Sequence, residues 1–456
     1  MKKFPLNPVC LYEDFYQFLR EIRQKYTDKP ALTYFTRRGE ERSFSYNQLT
    51  EQALALRESL FLRKLNGRHI AIVGENSYEW ILAYLAIAAS GGVAVCIDAE
   101  QPDETIREMV LAADAQAVFA SGTYLPICRP LLQNNRITGL FRLEEKEGEE
   151  DCLADLCRQG REAGTNTTGP SLSPQSTAVI VYTSGTTSTS KPVMLSHQAL
   201  LHNAGNSLSY LKGQERVFTS LPFYHTYGMT SAVLATFGRG AHMLINGDLK
   251  TVMRDLHLAQ PDSMCTVPLM VEAIHKGIWM NAEKSGKADD LRALLKRDKL
   301  MRKLGKNSIH PALEAVRKQA VGTLTMITCG GAHLSPDITE EFQSMGLTIL
   351  QGYGITECSP LVAVNSDYCN NPESVGFVIP EMDVKIVEGE IWVRGISVMN
   401  GYYKQEELTR EAMEDGWFKT GDLGYLDKND YLYITGRKKD LIVFKNGKKI
   451  FLRMSF

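Results

Sequence analysis

The sequence predicts an α/β protein: a two-lobed body with doubly wound parallel sheets, followed by a smaller β-barrel-like unit. Three observations predict it. Short apolar runs alternate with helical stretches from residue 47 to about residue 350. After Asn370 the texture changes to brief β segments divided by turn residues. The length, 456 residues, exceeds what a single core fills.

In order, a helical stretch at 47–64 leads into the apolar run 69–74. A helix from Tyr78, a strand at 93–97, a helix from Asp103 and a strand near 117–119 follow. Runs this apolar, in this alternation, suit parallel strands covered on both faces. The charge run from Glu144 to Asp151 and the Gly/Thr/Ser/Pro-rich stretch from Gly164 to Gln175 read as a surface connection near 144–177. It divides the body, 1–370, into two subdomains and ends at an apolar strand over 178–182. A helical block over 269–321 interrupts the second part of the body. Beyond it, β segments at 374–379, 383–387, 390–394 and 431–435 form the small unit 371–435, with Gly389 and Asp430 at turns. Residues 436–456 remain as a tail.

Composition narrows the classes. Apolar content of 44% and charged content of 23% are ordinary for a globular chain, and a formal charge of −2 gives no pull toward nucleic acid. The nine cysteines are scattered, and Cys152 and Cys157 lack zinc-site spacing, which suits reduced thiols in the cytoplasm. The N-terminus has no apolar stretch of the kind a signal peptide carries, and the most apolar segment, 81–89, is about half a membrane span.

The loop Thr183-Ser184-Gly185-Thr186-Thr187-Ser188-Thr189-Ser190-Lys191 follows an apolar strand and precedes a helix beginning at Ser196. Small residues there offer backbone N–H groups and hydroxyls to a polyphosphate, and Lys191 adds a charge. Read alone, the segment is equally a flexible Ser/Thr-rich surface loop. It is not a Walker loop, because Ser190 precedes the lysine and Pro192 follows it. Downstream come Pro222-Phe223-Tyr224-His225-Thr226-Tyr227-Gly228 and Cys329-Gly330-Gly331-Ala332. Gln351-Gly352-Tyr353-Gly354-Ile355-Thr356-Glu357, Thr420-Gly421-Asp422 and Gly436-Arg437-Lys438-Lys439-Asp440 complete the set. In this order the motifs resemble the adenylate-forming superfamily of acyl-CoA synthetases, peptide adenylation domains and luciferases.

The resemblance implies a role for each motif in the attack of a carboxylate on the α-phosphorus of ATP. Thr183, Ser184, Gly185, Thr186, Thr187, Ser188 and Lys191 would wrap the β- and γ-phosphates, and Glu357 would hold Mg²⁺. Thr356 would donate to the α-phosphate, and Tyr353, beside Gln351 and Gly352, would stack on adenine. Asp422 would accept from both ribose hydroxyls with Arg437 assisting, and Lys439 would be the hinge residue. Gly330, Gly331 and Ala332 would form a wall approached by adenine and acyl group. Alone, Glu357 reads as a surface carboxylate, Asp422 as a turn residue and Tyr353 as core. His225 is expected to line the site rather than act as a base, since a carboxylate nucleophile needs no deprotonation near neutral pH.

The helical block, with Val267-Pro268-Leu269-Met270 and Ile278-Trp279, resembles long-chain fatty acid–CoA ligases. The expected substrates are ATP, a fatty acid and coenzyme A, with an acyl carrier protein as the alternative acceptor and other carboxylic acids as alternative substrates. Within the block, residues 291–306 read as a basic amphipathic helix: either an ordinary packed helix or a peripheral membrane contact. Two departures from the family pattern stand out. Ser188, Ser190 and Pro192 replace residues usual in the phosphate loop. The chain also stops at Phe456, where the resemblance implies continuation into a mobile C-terminal domain carrying a further catalytic lysine. The expectation is a missing domain, slow adenylation and little thioester formation; a non-catalytic acyl-adenylate-binding protein is the alternative from another class.

Overall fold

In the computed structural model, residues 6–36, 38–145, 151–164, 171–183, 190–305, 309–443 and 449–451 are described. Two large sheets and one small curled sheet meet at a common seam, and a fourth, two-stranded sheet pairs Leu441–Val443 with Lys449–Phe451. The first has seven strands. Its core is parallel, with His69–Val73 between Val93–Cys96 and Ala117–Ala120, and Thr177–Tyr182 and Gly139–Arg142 outside them. Helix Tyr78–Ala89 is buried along its whole length, and Ser77 caps it by accepting from the Trp80 N–H. Helix Tyr46–Leu62 opens on a reciprocal cap between Ser45 and Gln48.

The second sheet has nine strands. Arg216–Thr219, Ser263–Thr266, Met326–Cys329 and Thr348–Gly354 run parallel through its centre. Its far edge comes from the N-terminal strands Pro30–Phe35 and Glu41–Ser45, the first paired with His242–Ile245. The helical block is three helices, Pro268–Lys284, Ala288–Lys303 and Pro311–Val321, packed on this sheet through Val271, Leu291, Leu313 and Ile349.

The third sheet is antiparallel: Met382–Val387, Glu390–Gly395, Trp417–Leu426, Met413–Glu414 and Leu432–Arg437. Two short strands from the same stretch pair elsewhere. Phe377–Val378 joins the nine-stranded sheet, and Gly401–Tyr402 joins the seven-stranded one.

Two features differ from the sequence expectation. The helix expected at Ser196 is present as His197–Ser207, capped by Ser196, but the Thr183–Lys191 loop reaches it through an unforeseen strand, Pro192–Ser196, antiparallel to Thr177–Tyr182. Four residues between loop and cap suffice for a strand when one face is already paired. Pro192 stands first in that strand, where its missing N–H breaks little of the ladder. The ten-residue strand Trp417–Leu426 was not among the expected β segments, and it contains Thr420-Gly421-Asp422, in which Asp422 read alone is a turn residue. A register shift between Leu423 and Gly424 absorbs the irregularity and keeps the strand paired.

Candidate active site

The functional side chains gather where the three sheets meet, beyond the carboxyl end of strand Thr348–Gly354, a position typical of ligand sites in α/β sheets. The hairpin carries Lys191. Its stem is closed by the Thr183 N–H donating to the Lys191 carbonyl at 3.1 Å, with the Lys191 N–H returning to Thr183 Oγ1 at 3.4 Å. Ser184, Gly185, Thr186, Thr187 and Ser188 lie outside the described residues. Lys191 Nζ sits 5.1 Å from the centre of the Tyr402 ring, and the Tyr402 hydroxyl donates to Glu357 Oε1 at 2.9 Å. A cation, a phenol and a carboxylate from three separate segments thus form one corner.

Tyr402 was not among the residues expected at the site. Its strand is two residues long and pairs with the hairpin through Val193, while the Tyr403 N–H donates to the Pro192 carbonyl at 2.8 Å. Nothing local announces such a pairing, which joins segments about two hundred positions apart. Thr356 opens the short turn Thr356–Cys358 that carries Glu357, and both are half-buried.

A second corner holds Asp422. It is 3% exposed and faces Arg437 across the antiparallel pair, with Arg437 Nε 2.9 Å from Oδ1. The Tyr353 hydroxyl donates to its other oxygen at 2.6 Å. Tyr353 is itself buried, so its phenol ties the nine-stranded sheet to the curled one. An ionised carboxylate offers about four acceptor positions, so two remain after Tyr353 and Arg437. Burial pushes the Asp422 carboxyl above the usual carboxylate range, with Arg437, Tyr353 and Lys439 pulling against it. A ligand bonded to the ionised form draws the titration back down. AMP affinity is therefore expected to rise with pH through the raised Asp422 titration and to level off once the free carboxyl is ionised. The check is calorimetry across pH, with a flat profile in Asp422→Asn.

Between the corners, Gly330 and Gly331 form a floor. Gly331 has φ +94°, and a side chain at Gly330 would meet the Gly352 carbonyl and the Tyr227 ring. Ala332 is exposed beside them. Gln351 does not reach this space: its amide donates to the Pro372 carbonyl at 2.6 Å and its oxygen accepts from the Leu334 N–H at 3.4 Å. From Gly330 and Gly352 a cavity of about 110 Å³ runs between the nine-stranded sheet and the helix beginning at Tyr227.

His225 lies half-buried against the Tyr224 ring, 4.6 Å between centroids. Burial lowers its pKa, Asp98 and Glu100 opposing only in part, so the imidazole is neutral near pH 7. The turn that carries it is closed by Gly228, where an added Cβ would stand 2.2 Å from the Pro222 carbonyl oxygen. Gly228→Ala is expected to cost about 3 kcal/mol of stability, seen as a lowered melting temperature, whereas Ala in the open at Gly277 is expected to be harmless.

Helix Ala288–Lys303 buries Leu291 and Leu295, and Arg292, Lys299 and Arg302 are paired with Asp289, Glu340 and Asp298. No helix among the described residues is long and apolar enough to cross a membrane.

A buried carboxylate paired with an arginine, a lysine beside a tyrosine–glutamate pair and a glycine floor leading to a cavity thus converge at one site. The chain belongs to the AMP-binding enzyme family, whose pattern matches residues 19–403. It is 30% identical to the long-chain-fatty-acid–CoA ligase FadD15 of Mycobacterium bovis over 89% of this chain and 70% of that one. It is 27% identical to the peroxisomal long chain acyl-CoA synthetase 7 of Arabidopsis thaliana, over 90% of this chain and 64% of the relative. Among solved structures, the fold matches a long-chain-fatty-acid–CoA ligase from Archaeoglobus fulgidus with TM-score 0.75 at 17% identity, covering 96% of this chain and 86% of that one. The anthranilate CoA ligase AuaEII in complex with anthranoyl-AMP matches with TM-score 0.78, also at 17% identity, over 97% and 81%.

Proposed function

We propose that the chain uses ATP and Mg²⁺ to activate a fatty acid as its acyl-adenylate, for transfer to coenzyme A. The observation that carries this is the pair of corners: Lys191–Tyr402–Glu357 for the phosphates and Tyr353–Asp422–Arg437 for the ribose, with the Gly330–Gly331 floor between them. Lys191 and Thr183, together with Ser184, Gly185, Thr186, Thr187 and Ser188, hold the β- and γ-phosphates, and Thr356 meets the α-phosphate. Asp422 takes the ribose diol, oriented by Arg437 and Tyr353, and the acyl chain enters the cavity past Gly330 while His225 lines the carboxylate. Lys439 lies close enough to Asp422 to lower its pKa.

The donor set suits magnesium. Tyr402 occupies only one oxygen of Glu357, and no cluster of three potential metal-binding side chains occurs among the described residues. Mg²⁺ is commonly held by one or two carboxylates together with substrate phosphates. When bound, it would neutralise charge on the reacting phosphates. The chain's own contribution is to place the carboxylate, already ionised near neutral pH, against the α-phosphorus.

A carrier-protein thiol is the second acceptor compatible with the site, since a relative from Arabidopsis thaliana, 24% identical, is named a long-chain-fatty-acid–[acyl-carrier-protein] ligase. The protein is read as cytoplasmic, with peripheral membrane contact through residues 291–306. Leu300 and Leu304 are 59% and 68% exposed beside Lys296, Arg297 and Lys303. Reversing those three charges should reduce co-sedimentation with anionic vesicles; unchanged co-sedimentation removes the membrane contact.

The test of the main reading is calorimetry with AMP and with a non-hydrolysable octanoyl-adenosine sulfamate. Tighter binding of the sulfamate supports the whole reading. Binding of AMP with no gain from the acyl group removes the fatty acid, and a folded protein that binds neither removes the adenylate site.

A further inference from the structure

The inner end of the cavity is polar. Most of its walls are apolar: Val217 and Leu350 from the sheet, with Leu208, Leu211 and Ala235 above them. Along the covering helix, Tyr227, Ser231, Ala235 and Arg239 follow at four-residue intervals and all line the cavity. The helix is a π-helix over Tyr227–Leu234 and an α-turn over Ala235–Gly238, with Arg239 as its cap, so the row is shorter than the roughly 18 Å an α-helix would give. It begins at the glycine floor and ends at a guanidinium.

Three side-chain atoms along the cavity have no hydrogen-bond partner: Ser231 Oγ one step from the floor, and Ser263 Oγ and Arg239 Nε towards the far end. Ser263 is 5% exposed and stands first in its strand, in register with Val217. Arg239 spends one N–H group on the Gln214 carbonyl; Asp262, whose Oδ1 is also unpartnered, acts on it from beyond ion-pair distance, and Nε is left without an acceptor. An unpaired buried hydroxyl costs roughly 1–3 kcal/mol, and a desolvated cation without an anion costs more. A cavity built only for hydrocarbon gains nothing from such an end.

We propose that Arg239 and Ser263 bind the distal terminus of the acyl group, and that this terminus is a carboxylate: the substrate is a fatty diacid activated at one end. The inference rests on the acyl-adenylate reading above and names the substrate class of that site. The near carboxylate reacts beside Gly330, the methylenes run along Val217, Leu350 and Ala235, and the far carboxylate accepts from Arg239 Nε and the Ser263 hydroxyl. Beyond Arg239 lies a second, larger cavity of about 760 Å³, which shares Leu208, Leu211, Gln214, Ala235 and Arg239 with the first and is lined on its outer side by Asn7 to Cys10. Arg239 is the partition between them.

The experiment compares two sulfamoyl-adenosine probes of equal length, dodecanoyl and 11-carboxyundecanoyl, with AMP as reference. The parent protein is expected to bind the carboxylated probe at least tenfold tighter. Arg239→Met is expected to abolish that preference, and Arg239→Lys to keep part of it. Unchanged AMP affinity in each variant shows that the fold and the nucleotide site are intact. Equal or tighter binding of the dodecanoyl probe by the parent overturns the proposal. So does affinity that keeps rising with longer plain chains and is indifferent to Arg239→Met, which means that Arg239 swings aside and admits hydrocarbon to the outer cavity. Loss of AMP binding together with both probes overturns the underlying adenylate reading as well.

Discussion

Glu357→Gln is expected to form acyl-AMP about 10²–10³-fold more slowly than the parent, measured by pyrophosphate exchange, while binding AMP unchanged. The side chain keeps its size and can still accept from the Tyr402 hydroxyl, so the fold has no reason to respond. What disappears is the negative charge beside the phosphate corner. AMP lacks the β- and γ-phosphates, so its affinity isolates the nucleoside half of the site. Tyr402→Phe should produce a smaller loss, about 10–100-fold, because it frees Glu357 without removing its charge. Equal losses of AMP and of exchange activity in Glu357→Gln would show general damage, and the metal assignment would fall.

The other large effect is expected at Asp422. Replacing it with Asn should weaken AMP binding by about 3 kcal/mol, roughly a hundredfold, because two charge-assisted hydrogen bonds to the diol are lost together. Arg437 is left beside a neutral group, and the Tyr353 phenol must donate to an amide oxygen instead of a carboxylate. Tyr353→Phe alone should cost about 1 kcal/mol, and the double variant should lose less than the two single losses combined, since both act on one carboxylate. With 2′,3′-dideoxy-AMP the Asp422→Asn penalty should nearly vanish. A penalty that stays the same without the diol would mean that Asp422 holds the sheets together rather than the ribose.

Much of the fold was legible because its determinants are local. Ser45 with Gln48, Ser77 and Ser196 mark helix starts by side chains that cap their own N-termini. The parallel strands betray themselves by being apolar on both faces, as in Ile70–Val73 and Val179–Val181. Site residues inside motifs, such as Glu357 and Asp422, could be named because each motif travels with its own backbone geometry. Pairing between distant segments was not legible. Strand Pro30–Phe35 lies beside His242–Ile245, and Gly401–Tyr402 beside the hairpin, through backbone hydrogen bonds that leave little trace in either sequence. The polar end of the cavity was hidden for the same reason. Ser231 and Arg239 sit on one helix, but Ser263 and Gln214 reach them from elsewhere in the chain.

If Lys191 holds the phosphates as proposed, the three-strand ribbon formed by Thr177–Tyr182, Pro192–Ser196 and Gly401–Tyr402 would act as a clock for the nucleotide. Its outermost strand contributes only two residues, so the Tyr403 amide exchanges its hydrogen whenever that short edge peels from Pro192. A phosphate clasped by Lys191, with Tyr402 against Glu357, holds both sides of that edge at once. Exchange at Tyr403 should therefore slow in proportion to phosphate occupancy, giving a residue-level reading of how long the triphosphate stays.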